Sequence, residues 1–298
     1  MSTVVQWMGH GFTRGGIVFM QLLAFLPLSL VRALGTALGY LLYALVAPRR
    51  QVVATNLLLC FPELSAQERR RLARQTFIFF AQAWLDRSWL WHAPRDWVER
   101  RVRLVGSAHE LAGTQPTVIF LPHFVGLDAA WAGVTLRIPR QSTTIYTNQS
   151  NPLVDRWILR GRQRFGNLRL FGRMDGVKPI VAAIRQGQPL YLLPDMDFGP
   201  EESVMVPFFG LSTATVPSLS RFARLGRAKV VPVIARLTPG GDEIEVLPAW
   251  DNFPTADFVA DTAWMNGRLE AYIRTQPAQY YWVHKRFKTR PEGDAPVY

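Results

Sequence analysis

Thr117-Val-Ile-Phe-Leu-Pro-His123-Phe-Val-Gly-Leu-Asp128 places an imidazole and a carboxylate at a spacing suited to proton transfer. The apolar opening, rich in β-branched and aromatic side chains, reads as a buried strand. Pro122 ends it, since proline has no N–H for a sheet ladder. His123 then lies at the C-terminal tip of a strand, where open α/β sheets bind ligands. Asp128 falls in the first turn of a following helix, favoured there by the free N–H groups and the dipole. A tight turn brings the Asp128 carboxylate to one ring nitrogen of His123 and leaves the other as a base. With 5 His and 22 acidic residues in 298, that spacing alone is common by chance, and the context must decide.

A second strand tip repeats the pattern. Leu190-Tyr-Leu-Leu-Pro194 leads into Asp195-Met-Asp197-Phe-Gly-Pro200, and two ionisable tips of one sheet can face one crevice. The two carboxylates can orient an arginine, cap a loop or contribute to a metal site, and a metal would need further oxygen ligands. An Asp195–Arg162 pair is the expectation adopted. Arg162 lies with Arg160 and Arg164 near the end of a helix opened by Asn151-Pro152. Three guanidinium groups there make a phosphate clamp, or equally a basic helix end that satisfies the dipole. Val206-Pro-Phe208-Phe209-Gly210 is an apolar loop, read either as the lining of a chain-shaped pocket or as a core plug. Gly-x-Ser-x-Gly, P-loop, dinucleotide-binding and His-Glu-x-x-His patterns are absent. Cys60 is the only cysteine and lies off the strand tips. The simplest scheme is therefore a histidine base activating a hydroxyl, with no covalent intermediate, metal or cofactor.

The elements that must position these groups alternate. Strands are predicted at 102–105, 117–121, 143–146, 168–171, 190–193, 229–235 and 243–247, with helices at 127–136, 153–164, 177–186, 216–225 and 257–275. This is an α/β pattern with a mostly parallel or mixed central sheet flanked by helices. Pro232 inside one strand suggests a sheet edge or a bulge. Ahead of the sheet, Ser65-x-x-Glu68 is a capping-box pattern opening a helix.

From Gly15 to Pro48 the only charged residue is Arg32. Two apolar runs of about 15 residues each fall short of the ~20 needed to cross a hydrocarbon core. Arg14, Arg49 and Arg50 flank the segment. The expectation is a membrane anchor, either one tilted span or two interfacial helices, with the following chain cytoplasmic. A buried helical hairpin is the alternative. The net charge of +12 calls for an anionic partner. Nucleic acid is disfavoured, because the basic residues form no reading motif and an anchor would serve no purpose there.

These residues together resemble the late acyltransferases of lipid A biosynthesis, the lauroyl and myristoyl transferases of the lysophospholipid acyltransferase superfamily with its His-x4-Asp/Glu motif. The resemblance spans nearly the whole chain. It is carried by the anchor, His123 to Asp128, Asn151-Pro-Leu with Gly161-Arg162-x-Arg164, Pro194 to Pro200, Val206 to Phe209, and Gln279-Tyr-Tyr-Trp-Val-His284-Lys-Arg286-Phe287-Lys-Thr-Arg-Pro291. It implies an anchor over residues 1–50 and an acyltransferase domain over 51–298, at the cytoplasmic face of an inner membrane. The implied donor is an acyl thioester on the acidic acyl carrier protein. The acceptor is a hydroxyl of a phosphorylated lipid A precursor. His123 and Asp128 would be catalytic, and Arg160, Arg162, Arg164, Asp195, Asp197, Phe208 and Phe209 would bind substrate. A lysophospholipid or glycerophosphate acceptor is the alternative within the same chemistry.

Overall fold

The computed structural model describes residues 3–172 and 174–298. Helices α1 (Thr3–Leu23), α2 (Leu28–Leu45), α3 (Ala47–Cys60) and α4 (Ala66–His92) come first. The predicted capping box is formed: the Ser65 hydroxyl accepts from the Glu68 N–H, and the Glu68 carboxylate accepts from the Ser65 N–H. Helix α2 lies against α4 with its backbone in close approach. A Cβ at Gly39 would sit 2.5 Å from the Ile78 Cα, and one at Gly35 would sit 2.8 Å from the Gln82 Cα. This small-xxx-small spacing serves helix pairs wherever side chains would hold the axes apart. Arg32, the only charge of the apolar segment, turns inward, with its guanidinium 2.8 Å from Asp86 and 3.6 Å from Asp242.

Among the described residues, α2 alone is long and apolar enough to cross a membrane, and 28% of it is buried against the rest of the protein. Its other side exposes Leu30, Leu34, Leu41 and Leu45, which helical spacing puts on one stripe. The outer side of α1 adds Phe12, Phe19 and Leu22, and the turn between the helices adds Phe25. The expected boundary at residue 50 falls inside α3.

The alternating region follows as α5 (Arg95–Arg101), β1 (Val102–Gly106), β2 (Thr117–Phe120), α6 (Leu127–Arg137), β3 (Ser142–Tyr146), α7 (Pro152–Arg162), β4 (Leu168–Gly172), α8 (Val177–Arg185) and β5 (Leu190–Leu192). A hairpin of β6 (Val204–Phe208) and β7 (Leu211–Thr215) precedes α9 (Ser218–Gly226), β8 (Lys229–Thr238), β9 (Gly241–Val246) and α10 (Phe258–Thr275). The α/β class expected from the sequence is observed: a seven-stranded sheet in the order β1-β9-β8-β2-β5-β3-β4, with β8–β9 as its antiparallel pair. Period-two alternation splits each strand between the two faces. Val118, Phe120, Leu190 and Leu192 meet α8, α9 and α10 on one side. Ile119, Leu121 and Tyr191 meet α6 and the end of α4 on the other.

Pro232 does not mark a sheet edge. It lies in β8 between two neighbours, at the residue where both ladders change. The β2 ladder ends at the Phe120–Pro232 pair, and the β9 ladder starts at Val233. A missing N–H costs least at such a junction.

Candidate active site

The β2–β5 pairing builds the site. Phe120 is in register with Leu192, so His123 and Asp195 stand equally far beyond the paired ends, each just after a proline. Three residues past the last pair the two tips meet. The His123 Nδ1 lies 2.8 Å from one Asp195 oxygen, and the His123 backbone N–H donates to the other at 2.8 Å. A carboxylate only accepts, so Nδ1 carries the proton and Nε2 is the basic nitrogen. The Asp195 side chain has no exposure, while that of His123 is 20% exposed and lines a cleft. Burial opposes ionisation of Asp195, but the His123 ring and its backbone N–H outweigh it and lower the pKa. The Tyr280 hydroxyl also donates to Asp195, at 3.1 Å.

Asp128 is therefore not the partner of the His123 ring, contrary to the sequence expectation. The turn after His123 is bonded to the C-terminal segment: Val125 N–H donates to the Gln279 carbonyl and Tyr281 N–H to the His123 carbonyl. Helix α6 starts beyond that turn and directs Asp128 toward α4 and α7. There its oxygens accept from Arg87 Nε at 2.7 Å and from Arg162 Nε at 2.8 Å. Burial pushes the Asp128 pKa up, but the Arg162 and Arg87 guanidiniums overcome it and hold the group at about 2. The expected Asp195–Arg162 pair is likewise not formed, since the two aspartates have exchanged presumed partners: Asp195 holds His123 and Asp128 holds Arg162.

The three-arginine clamp is divided. Arg162 lines the cleft beside Asp128. Arg164 donates to the Leu90 carbonyl at 3.0 Å and to that of Ala93, satisfying the open carbonyls at the end of α4. Arg160 is exposed on α7. Arg87, which the sequence reading missed, supplies the second guanidinium. Its only sequence signal is a cation set among Trp84, Trp89 and Trp91 on α4. Two guanidiniums around one carboxylate leave a net positive charge at this wall.

Phe208 and Phe209 do not line the cleft. Phe208 is fully buried against Phe287, and Phe209 packs on Phe61 and Trp282, so the loop is the core plug. Asp197 ties the following loop to the C-terminal segment: it accepts from the Thr289 N–H and hydroxyl and from the Gly199 N–H. The Asp197 N–H donates to the His284 Nε2. Burial and the nearby Arg286 lower the His284 pKa to about 4, which keeps that acceptor neutral.

The cleft has a volume of about 990 Å³, at the large end of the ~300–1,000 Å³ typical of small-molecule sites. Its lining mixes polar groups, Asp128, Arg162, Tyr146, Thr147 and Gln149 among them, with apolar ones that include Val177, Ile180, Leu192, Val216 and Phe222. Ile180 and Phe222 are buried, whereas Phe198 and Met174 are exposed at the mouth. Among the described residues no group of three or more His, Cys, Asp or Glu is arranged to hold a metal.

Residues 5–289 match the family described as bacterial lipid A biosynthesis acyltransferase. The chain belongs to that family. The lipid A biosynthesis lauroyltransferase of Escherichia coli K12 is 32% identical to it, covering 98% of this chain and 96% of its own. A lipid A biosynthesis acyltransferase of Haemophilus influenzae is 32% identical over 94% and 88% of the two chains. The E. coli lipid A biosynthesis myristoyltransferase is 33% identical over 95% and 88%. A solved 1-acyl-sn-glycerophosphate acyltransferase, PlsC, from Thermotoga maritima aligns over 82% of this chain and 93% of that one at 13% identity. Its TM-score is 0.37, too weak a likeness to carry an argument. In this lipid A acyltransferase, then, the His123–Asp195 pair stands at the edge of a cleft that the Asp128–Arg162 ion pair and several apolar side chains also line.

Proposed function

We propose that this acyltransferase moves a fatty acyl chain from the thioester of acyl carrier protein to a hydroxyl of a lipid A precursor by direct transfer. The observation that carries this reading is the His123–Asp195 pair at 2.8 Å with Nε2 toward the cleft. Nε2 takes the acceptor hydroxyl proton as that oxygen attacks the thioester carbonyl. The carbon–sulfur bond then breaks, and the imidazolium returns the proton to the leaving thiolate. Asp195 keeps the ring in its working tautomer and offsets the imidazolium charge. No side chain becomes acylated.

The net positive Arg87–Asp128–Arg162 wall suits an acceptor phosphate, because guanidinium groups bind phosphate oxygens through paired N–H donors. Asp128 holds the two arginines in place there rather than serving the base. The apolar lining suits the acyl chain. The +12 net charge suits both an acidic carrier protein and an anionic glycolipid. The exposed leucine stripe of α2 and the outer side of α1 suit an interfacial seat on the cytoplasmic leaflet of the inner membrane, with the other side of α2 committed to α4.

The test is purified enzyme in detergent micelles, given acyl-loaded carrier protein and a lipid A precursor, with products read by mass spectrometry. His123→Ala is expected to lose ~10²–10⁴-fold in rate while remaining folded. An acyl adduct trapped on the protein in the absence of acceptor, or full activity of His123→Ala, refutes direct transfer. The membrane seat is tested with Leu34→Asp combined with Leu41→Asp. This variant is expected to leave vesicles that the parent binds, and unchanged co-sedimentation refutes the seat.

A further inference from the structure

The C-terminal run from Gln279 to Pro291 lies far from His123 in sequence and is built around it in space. Phe124 and Tyr280 form an antiparallel bridge. The Val125 N–H donates to the Gln279 carbonyl at 2.9 Å, and the Tyr281 N–H to the His123 carbonyl at 3.0 Å. The Gln279 side chain holds this strap to β8, donating to the Leu237 carbonyl and accepting from the Leu237 N–H. The strap therefore fixes the backbone on both sides of the base.

One side chain of the strap reaches past the backbone. Tyr280 is 3% exposed. Its ring packs on Phe124 and Trp282, and its hydroxyl points to the Asp195 oxygen that also accepts from the His123 N–H. We propose that Tyr280 is a positioning residue of the reaction, fixing the Asp195 carboxylate so that its other oxygen meets His123 Nδ1. This role rests on His123 and Asp195 acting together as the base.

The physical argument is a count of donors. A fully buried carboxylate needs its oxygens occupied, because unsatisfied buried charge is costly. Among the described residues, the side-chain and backbone groups of other residues that donate to the Asp195 carboxylate are the His123 ring, the His123 backbone and the Tyr280 hydroxyl. The first two belong to the residue that must change charge during turnover. Among the described residues, Tyr280 is the one that anchors the carboxylate from outside the pair. Burial and the Asp195 charge raise the Tyr280 pKa well above the ordinary phenol value, so it stays a donor at every working pH.

Tyr280→Phe removes the donor and keeps the ring. The rate is expected to fall about ten-fold, the scale of one charge-assisted hydrogen bond, with KM for donor and acceptor unchanged within about two-fold. The carboxylate left behind is a stronger acceptor and holds the imidazolium more tightly. The acid limb of the rate profile therefore moves to higher pH, a change that loss of packing alone would not produce. A double-mutant cycle completes the test. If Tyr280 acts through Asp195, the Tyr280→Phe, Asp195→Asn double variant is no slower than Asp195→Asn alone. A parental rate and pH profile for Tyr280→Phe, or losses that multiply in the cycle, overturns the positioning role while leaving the pair intact. A parental rate for Asp195→Asn overturns the pair itself.

Discussion

The two buried aspartates at the site, Asp128 and Asp195, should separate cleanly under the same substitution. Asp128→Asn is expected to act mainly on stability and Asp195→Asn mainly on rate. Asp128 is held at about 2, down from the ordinary 3.8, because Arg162 and Arg87 outweigh its burial. At ~1.4 kcal/mol per pH unit, that difference gives roughly 2–3 kcal/mol of folding stability. The Arg87 and Arg162 side chains keep 22% and 23% exposure, so water takes up part of the orphaned charge and the lower end applies. At ~2–4 °C per kcal/mol for a chain of this size class, Tm falls by roughly 4–8 °C. The sign can be followed in pH. A carboxylate whose folded pKa is depressed contributes fully above its unfolded value and loses that contribution as pH falls through its folded one. The gap between parent and Asp128→Asn is therefore constant from pH 5 to 8 and closes below pH 4. Asp195→Asn leaves an amide that can hold the ring but cannot offset its charge, and should cost ~10²–10⁴-fold in rate. Calorimetry and initial rates on the same preparations decide. If Asp128→Asn slows the reaction as much as Asp195→Asn and leaves Tm unchanged, Asp128 is serving the base and the pairing of His123 with Asp195 is not the working one.

Two further outcomes follow from named contacts. Asp242 has both oxygens buried without a hydrogen-bond partner among the described residues, and burial together with the Asp86 charge raises its pKa well above the usual range. A raised carboxyl favours folding while protonated and loses that advantage as pH rises through its folded value. Asp242→Asn should therefore raise Tm at pH 8, with the gain shrinking as pH falls; an equal loss at both ends of the range would contradict this. In the cleft, Ile180 and Phe222 are two of the buried apolar lining residues. Ile180→Ala or Phe222→Ala should shift donor preference toward longer chains by about four-fold per added methylene, from ~0.8 kcal/mol of burial each. Competition between donors of mixed length measures it, and an unchanged product distribution would place the chain elsewhere.

Most elements were legible because their signals are local. Strands at 102, 117, 143, 168, 190, 229 and 243 and helices at 127, 153, 177, 216 and 257 carry the period-two or 3.6-residue pattern that burial on a sheet or against it demands. The β6–β7 hairpin was not legible. Its two-residue turn is Phe209-Gly210, both with positive φ, and the geometry normally advertised by Asn-Gly is held instead by aromatic packing around Phe209. The edge reading of Pro232 failed because the tolerance of a proline depends on where the neighbouring ladders end.

The sequence by itself determined which residues stand at the strand tips. His123 and Asp195 each follow a buried strand and a proline, and strand periodicity carries both to the same edge. It also determined that Arg162 and Asp128 would be close to the chemistry. Only the tertiary structure decided who pairs with whom. Asp128 is five residues from His123, yet the turn between them is bonded to the distant strap and α6 carries its carboxylate to Arg87 and Arg162. Asp195 lies 72 residues from His123 and reaches its ring because β2 and β5 are adjacent and in register. Sequence spacing measures distance along the chain; the partner of a charge is set by which backbones pack side by side.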